Sequence, residues 1–85
     1  MKAGKVEIYD LEMLDRIIEL LYDDSDQTRL NVVQIISAVG EYPPAREKFK
    51  ECLEKLKDMV LKEKYHYPLV SRFAQTAIDV ITWQP

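Results

Sequence analysis

Apolar residues recur so densely between positions 26 and 42 that they cover more than one face of a helix: Leu30, Val32, Val33, Ile35, Ile36, Ala38 and Val39. A helix that is greasy on most sides must be covered on most sides, so this segment is expected at the centre of the fold. The segments around it carry one stripe each. Leu11, Leu14, Ile17, Ile18 and Leu21 are three and four apart, which predicts an amphipathic helix from Asp10 to Tyr22. Asp10 would be its N-cap and Ile8 would fold back as a hydrophobic staple. Its outer face holds Glu12, Asp15, Arg16 and Glu19, with Glu12 and Arg16 spaced to pair.

The run Asp23-Asp24-Ser25-Asp26 ends this helix and caps the next, because side-chain oxygens and negative charge suit a helix N-terminus. Gly40 is placed as a C-cap, and Pro43 with Pro44 forbids continuation. Pro44 suits the first turn of a third helix, from Ala45 to about Lys64, with Phe49, Cys52, Leu53, Leu56, Met59 and Val60 as its stripe. That helix either breaks briefly near Cys52 or runs straight. Its other face alternates in sign, with Glu51 to Lys55 and Asp58 to Lys62 as i,i+4 pairs. Tyr65-His66-Tyr67 reads as a connector. Pro68 then opens a last helix with a broad apolar face of Leu69, Val70, Phe73, Ala74, Ala77, Ile78 and Ile81. It ends near Thr82 and leaves Trp83-Gln84-Pro85 as a stub. Residues 1–9, interrupted by Gly4, read as a flexible lead-in to one domain over residues 10–83. The fold class is all-α, with four to five helices whose short connectors imply antiparallel neighbours.

Composition narrows the class further. The 85 residues suffice for one domain, and 47% apolar with 32% charged residues is the balance of a globular chain. A net charge of −3 argues against nucleic acid or an anionic membrane as partner, since both are approached through concentrated positive charge. The single Cys52 has no internal disulfide partner, which favours a reducing, intracellular, cytoplasmic setting. No apolar run approaches the ~18 residues of a membrane span, and the start MKAGKVEIYD has no signal-peptide apolar region.

The chain also repeats itself. At an offset of 42, Leu11 falls on Leu53, Glu12 on Glu54, Leu14 on Leu56, Ile17 on Met59 and Ile18 on Val60. At an offset of 43, Arg29 falls on Arg72, Leu30 on Phe73 and Ile35 on Ile78. Such a period, with an amphipathic helix, a polar corner and a more buried helix per unit, is that of helical solenoids. The stretch LEMLDRIIELLYDDSDQTRLNVVQIISAVGEYPPAREKF resembles an armadillo (ARM) or HEAT-like repeat: a Leu-rich helix, an acidic corner, an aliphatic helix, then a Pro turn and an Arg-bearing helix start. LEKLKDMVLKEKYHYPLVSRFAQTAIDVITW looks like a more divergent copy. The ending AIDVITWQP is similar to the C-terminal end of ciliary ARM proteins, which adds a ciliary setting to the cytoplasmic one. The resemblance implies two right-handed solenoid units, over residues 10 to 83, that bind protein. Where peptide-binding ARM proteins carry asparagine on the concave helix, this chain has Ala38 and Val80, and Gln34 lies where their tryptophan ladder would fall. The family's extended-peptide mode is therefore not implied. The kinking glycine of the unit is also missing near Cys52.

Candidate chemistry is sparse. Cys52 would need a base beside it to act as a nucleophile, and as a residue of an apolar stripe it reads as a buried thiol. His66 lacks the second histidine or cysteine of a zinc spacing. Asp23, Asp24 and Asp26 lack the glycine and distal glutamate of a calcium loop and read as helix caps. We therefore expect no catalytic residue, no cofactor and no metal. Trp83, Tyr65 and Tyr67 are the aromatic candidates for a partner surface, with Lys55 and Lys62 beside them. The expectation is a non-enzymatic scaffold whose partner is a protein, further repeats or a second copy of the chain, because two solenoid units fall short of the three or so that usually stand alone. The alternative is a four-helix domain that binds nucleic acid or an acidic partner through Lys48, Lys50, Lys55, Lys57, Lys62 and Lys64, whose field Glu47, Glu51, Glu54, Asp58 and Glu63 largely cancel.

Overall fold

The computed structural model describes residues 11–83, and all regular structure within them is helical. The lead-in, the Asp10 cap, the Ile8 staple and Gln84-Pro85 lie outside the described residues. Helix α1 spans Leu11–Glu19 and tightens into a 3-10 turn over Leu20–Tyr22. It is anchored by Leu14 and Leu21, both buried, with Ile17 and Ile18 packed against the core. Leu11, assigned to the same stripe by its spacing, is 65% exposed.

Helix α2, Asp26–Val39, is capped by Ser25, whose Oγ accepts the Thr28 N–H at 3.2 Å, while the Asp23 carboxylate accepts the Ser25 N–H at 2.8 Å. The polar corner thus does what its composition predicts. At the other end the Gly40 N–H bonds to the Ile36 carbonyl at 2.8 Å, but the glycine is right-handed, with φ −64°. Its lack of a side chain serves a close approach instead. A Cβ there would lie 2.7 Å from the Ile36 carbonyl oxygen and 3.1 Å from Val80 Cγ1 on the last helix.

The third predicted helix is divided. Helix α3 spans Pro43–Phe49, a 3-10 turn covers Lys50–Cys52, and α4 runs Leu53–His66. No glycine is needed for the bend: Cys52 takes φ −108°, ψ 12°, and its Sγ donates to the Phe49 carbonyl at 3.1 Å, inside the turn. Helix α4 runs two residues beyond Lys64, so Tyr65 and His66 are helical and the connector shrinks to Tyr67. Pro68 keeps Tyr67 out of the helical region, at φ −146° and ψ 81°, and the Tyr67 N–H bonds back to the Glu63 carbonyl at 2.8 Å. Helix α5, Pro68–Thr82, follows at once.

The core joins all the helices. Val33 and Ile36 of α2 are fully buried beside Leu30 and Val32. However, Ile35 is 42% exposed and Ala38 faces solvent, so α2 is not wrapped all round. The centre is shared with α5, which packs along both α4 and α2 and also touches α3. Val70, Ser71, Ala74, Ala77 and Ile81 form its buried face. Three of these five are small, which lets the neighbouring helices come close on both sides. Leu69, read as part of that face, is 45% exposed.

Candidate functional site

The residues singled out for partner binding do not converge on one surface. Tyr65 is 87% exposed on the last turn of α4, with the Lys64 ammonium 5.7 Å from its ring centre. Tyr67, one step on, is half-buried and packs against the core, so it belongs to the corner rather than to a free surface. Trp83 lies at the other end of α5, roughly 24 Å from Tyr67 at a rise of ~1.5 Å per residue. Its ring is 57% exposed and stacks on Arg46, whose guanidinium is 5.4 Å from the ring centre. Arg46 also donates to the carbonyls of Gly40 at 3.1 Å and Glu41 at 3.2 Å. Trp83 is therefore tied to the chain reversal after α2, beside a shallow depression lined by Glu41, Arg46, Asp79 and Val80.

Lys48, Lys50, Lys55, Lys62 and Lys64 are engaged within the chain. Lys55 places its ammonium 4.8 Å from the Tyr22 ring centre rather than pairing with Glu51, and Lys62 pairs with Asp58 at 3.4 Å as its spacing predicts. Lys48 bridges Asp15 at 2.8 Å and Glu51 at 3.0 Å, and Lys50 pairs with Glu47 at 2.7 Å. The Asp15 hydrogen bond, backed by Glu51, raises the Lys48 pKa above the ordinary lysine value of 10.5. The carboxylate pairings of Lys48, Lys50 and Lys62 cancel part of the positive field that a nucleic-acid surface would present.

Two exposed aliphatic side chains escape the sequence reading. Leu61 is 74% exposed, one turn before Tyr65 on the same side of α4, and Leu69 opens α5 just beyond the corner. Leu61 lies off the α4 stripe, which was the available signal. Like Tyr65, both are large apolar side chains of the last hairpin that stand in water.

A second arrangement is polar and largely internal. Glu63, read as part of the solvated face of α4, is 9% exposed. Its Oε2 accepts from the Arg29 guanidinium at 3.2 Å, across the interface between α2 and α4. The same Arg29 nitrogen bonds Asp26 Oδ1, and its other terminal nitrogen donates to the Asp23 carbonyl at 2.7 Å. Asp26 Oδ2 lies 3.1 Å from His66 Nε2. The other Glu63 oxygen, Oε1, is buried with no hydrogen-bond partner. Asp26, Glu63 and His66 each bring one donor atom to within 4.8 Å of the other two. The signal for the cluster was register: Glu63 follows Leu56 and Met59 along the stripe, and Arg29 precedes Val33 by one turn on the inner side of α2.

Cys52 is 2% exposed, and burial pushes its thiol pKa up to about 11. A thiol so held stays protonated and is a poor nucleophile at neutral pH. His66 is committed to Asp26 at the far end of α4 from it. No described helix is long and apolar enough to cross a membrane. No protein-family model, no curated protein and no solved structure matches the chain.

Proposed function

We propose that this chain is a non-enzymatic protein-docking module built from two ARM/HEAT-like helical hairpins, α1 with α2 and α4 with α5. The observation that carries the reading is the exposure of Leu61, Tyr65 and Leu69, all on the last hairpin. Three large apolar side chains held in water near one corner gain free energy only when something covers them. A repeat hairpin supports this reading, because each unit of a stacked array ordinarily covers the apolar side of its neighbour. The occupant of that side is a protein: a following repeat, a separate partner or a second copy. Internal pairing of the lysines favours this over binding of nucleic acid through α4. Burial of Cys52 favours docking over thiol chemistry.

The test is multi-angle light scattering across a concentration series, with affinity capture from cell extract. Self-association or capture should be lost in Leu61→Ser and Tyr65→Ser, with unchanged helical content and only slight weakening from 50 to 300 mM salt. Variants that assemble and capture like the parent chain would remove this surface from the function. Steep loss of binding over the same salt range would instead indicate the charge-driven alternative.

A further inference from the structure

We propose that Asp26, Glu63 and His66 form a binding site for a divalent transition ion, with Zn2+ as the best match. Glu63 and His66 are three apart on the last turn of α4, so both side chains leave the helix on one side. Asp26 reaches them from the first turn of α2, 40 residues from His66 in sequence. The donor atoms already lie within 4.8 Å of one another. His66 Nε2 and Asp26 Oδ2 are 3.1 Å apart, close to the roughly 3.3 Å between two ligands of a tetrahedral zinc at ~2.0–2.1 Å.

A second observation, independent of this spacing, is the state of Glu63. Its Oε1 is shut away from water without a hydrogen bond. A desolvated carboxylate oxygen is costly to leave unmatched, and a cation is the partner that recovers most of that cost. Arg29 does not already fill the role. It takes Asp26 Oδ1 and Glu63 Oε2, which leaves Glu63 Oε1 without a partner and Asp26 Oδ2 with only His66 Nε2 beside it, itself one of the three ligands. Two carboxylates and one guanidinium leave one net negative charge, so an added dication is electrostatically favourable. Imidazole with two carboxylates suits zinc and its neighbours, whereas calcium and magnesium prefer sites made of oxygen alone. A water would complete the fourth position, since His66 and Asp26 are partly in solvent. The site would clamp α2 to α4 independently of the docking surface, so either proposal stands if the other fails.

Calorimetric titration of the full chain with Zn2+ tests it. The expected result is saturable binding of one ion per chain, not displaced by millimolar Mg2+ and unchanged in Cys52→Ala, with a higher melting temperature in zinc. His66→Ala, at an exposed position, should weaken binding by at least about tenfold, and Glu63→Gln and Asp26→Asn should do the same with helical content retained. If Glu63→Gln fails to fold, the exposed His66 and the half-buried Asp26 decide the matter. Absence of saturable binding, or unchanged affinity in His66→Ala, would overturn the site.

Discussion

Glu63 sits where α4 should carry a leucine or a methionine, and the helix tolerates it because Arg29 reaches across from α2. Removing one member of such a pair strands a charge in a place with little water. Arg29→Ala should therefore cost about 2–4 kcal/mol of stability, more than the exposed pairs around it. The double variant Arg29→Met with Glu63→Leu should recover most of that loss, and urea melts of the three chains would measure both steps. Cys52 makes a different prediction, at alkaline pH. Its folded-state thiol is raised from 9.0 to about 11, so the unfolded chain ionises first. Stability from this group is complete below pH 9 and drains away between 9 and about 11, by on the order of 2 kcal/mol at the end. Lys48 acts in the same direction, because its raised pKa makes its ion pairs a contribution that fades as pH climbs beyond 10.5. Melting temperature plotted from pH 8 to 11 should fall less steeply in Cys52→Ala than in the parent chain. Iodoacetamide should label Cys52 slowly in the native chain and rapidly in urea.

Helices were the most legible level, because their evidence is local. The spacing of Leu14, Leu21, Leu56, Met59, Val70 and Ile81 placed each of them correctly indoors, and the run Asp23-Asp24-Ser25-Asp26 was recognisable as a capping corner from chemistry alone, with Ser25 the residue that serves as N-cap. The break at Lys50–Cys52 was left open by the sequence, since a 3-10 turn needs no glycine and proline to announce it. Gly40 shows a further limit of local reasoning. It caps α2 as its position predicts, yet it does so with right-handed backbone and is crowded by Val80, a residue 40 positions away. Only tertiary packing reveals that demand. Gly40→Ala should destabilise by about 1–3 kcal/mol, whereas a left-handed cap relieved by asparagine would predict that Gly40→Asn is harmless. Here asparagine should be worse than alanine, because the larger side chain meets the same carbonyl and valine. Ser25→Ala, which removes one cap bond, should cost about 1 kcal/mol. Chemical denaturation of these variants separates the two explanations for the glycine.

Register marks Glu63 and Arg29 as inward-facing on their own helices, but the meeting of Asp26, Arg29, Glu63 and His66 was illegible for a reason that belongs to the whole molecule. Its members come from two helices more than thirty residues apart, and a periodicity argument treats each helix alone. The same cluster, with the packing of α5 on both α4 and α2, bears on how the chain unfolds. Two hairpins that merely touched would melt separately, each with its own midpoint. Here Ala74 and Ala77 of α5 are fully buried, and α5 packs along α2 as well as α4, so opening either hairpin exposes the core of the other. One cooperative transition is expected, with a urea slope of roughly 1 kcal/mol/M for a chain of this size. Within it, protection should be graded. Helix α1 is held mainly through Leu14 and Leu21 and leaves Leu11 largely, and Met13 and Leu20 partly, in water, so its amides should exchange first. Those of α2 from Val33 to Ile36 and of α5 from Ala74 to Ile81 should exchange only with global unfolding. Native-state hydrogen exchange in low urea would read both predictions in one experiment. A pattern in which α4 and α5 stay protected while α2 opens freely would mean that the hairpins are independent units, and that the shared centre of α2 and α5 is not what holds the molecule together.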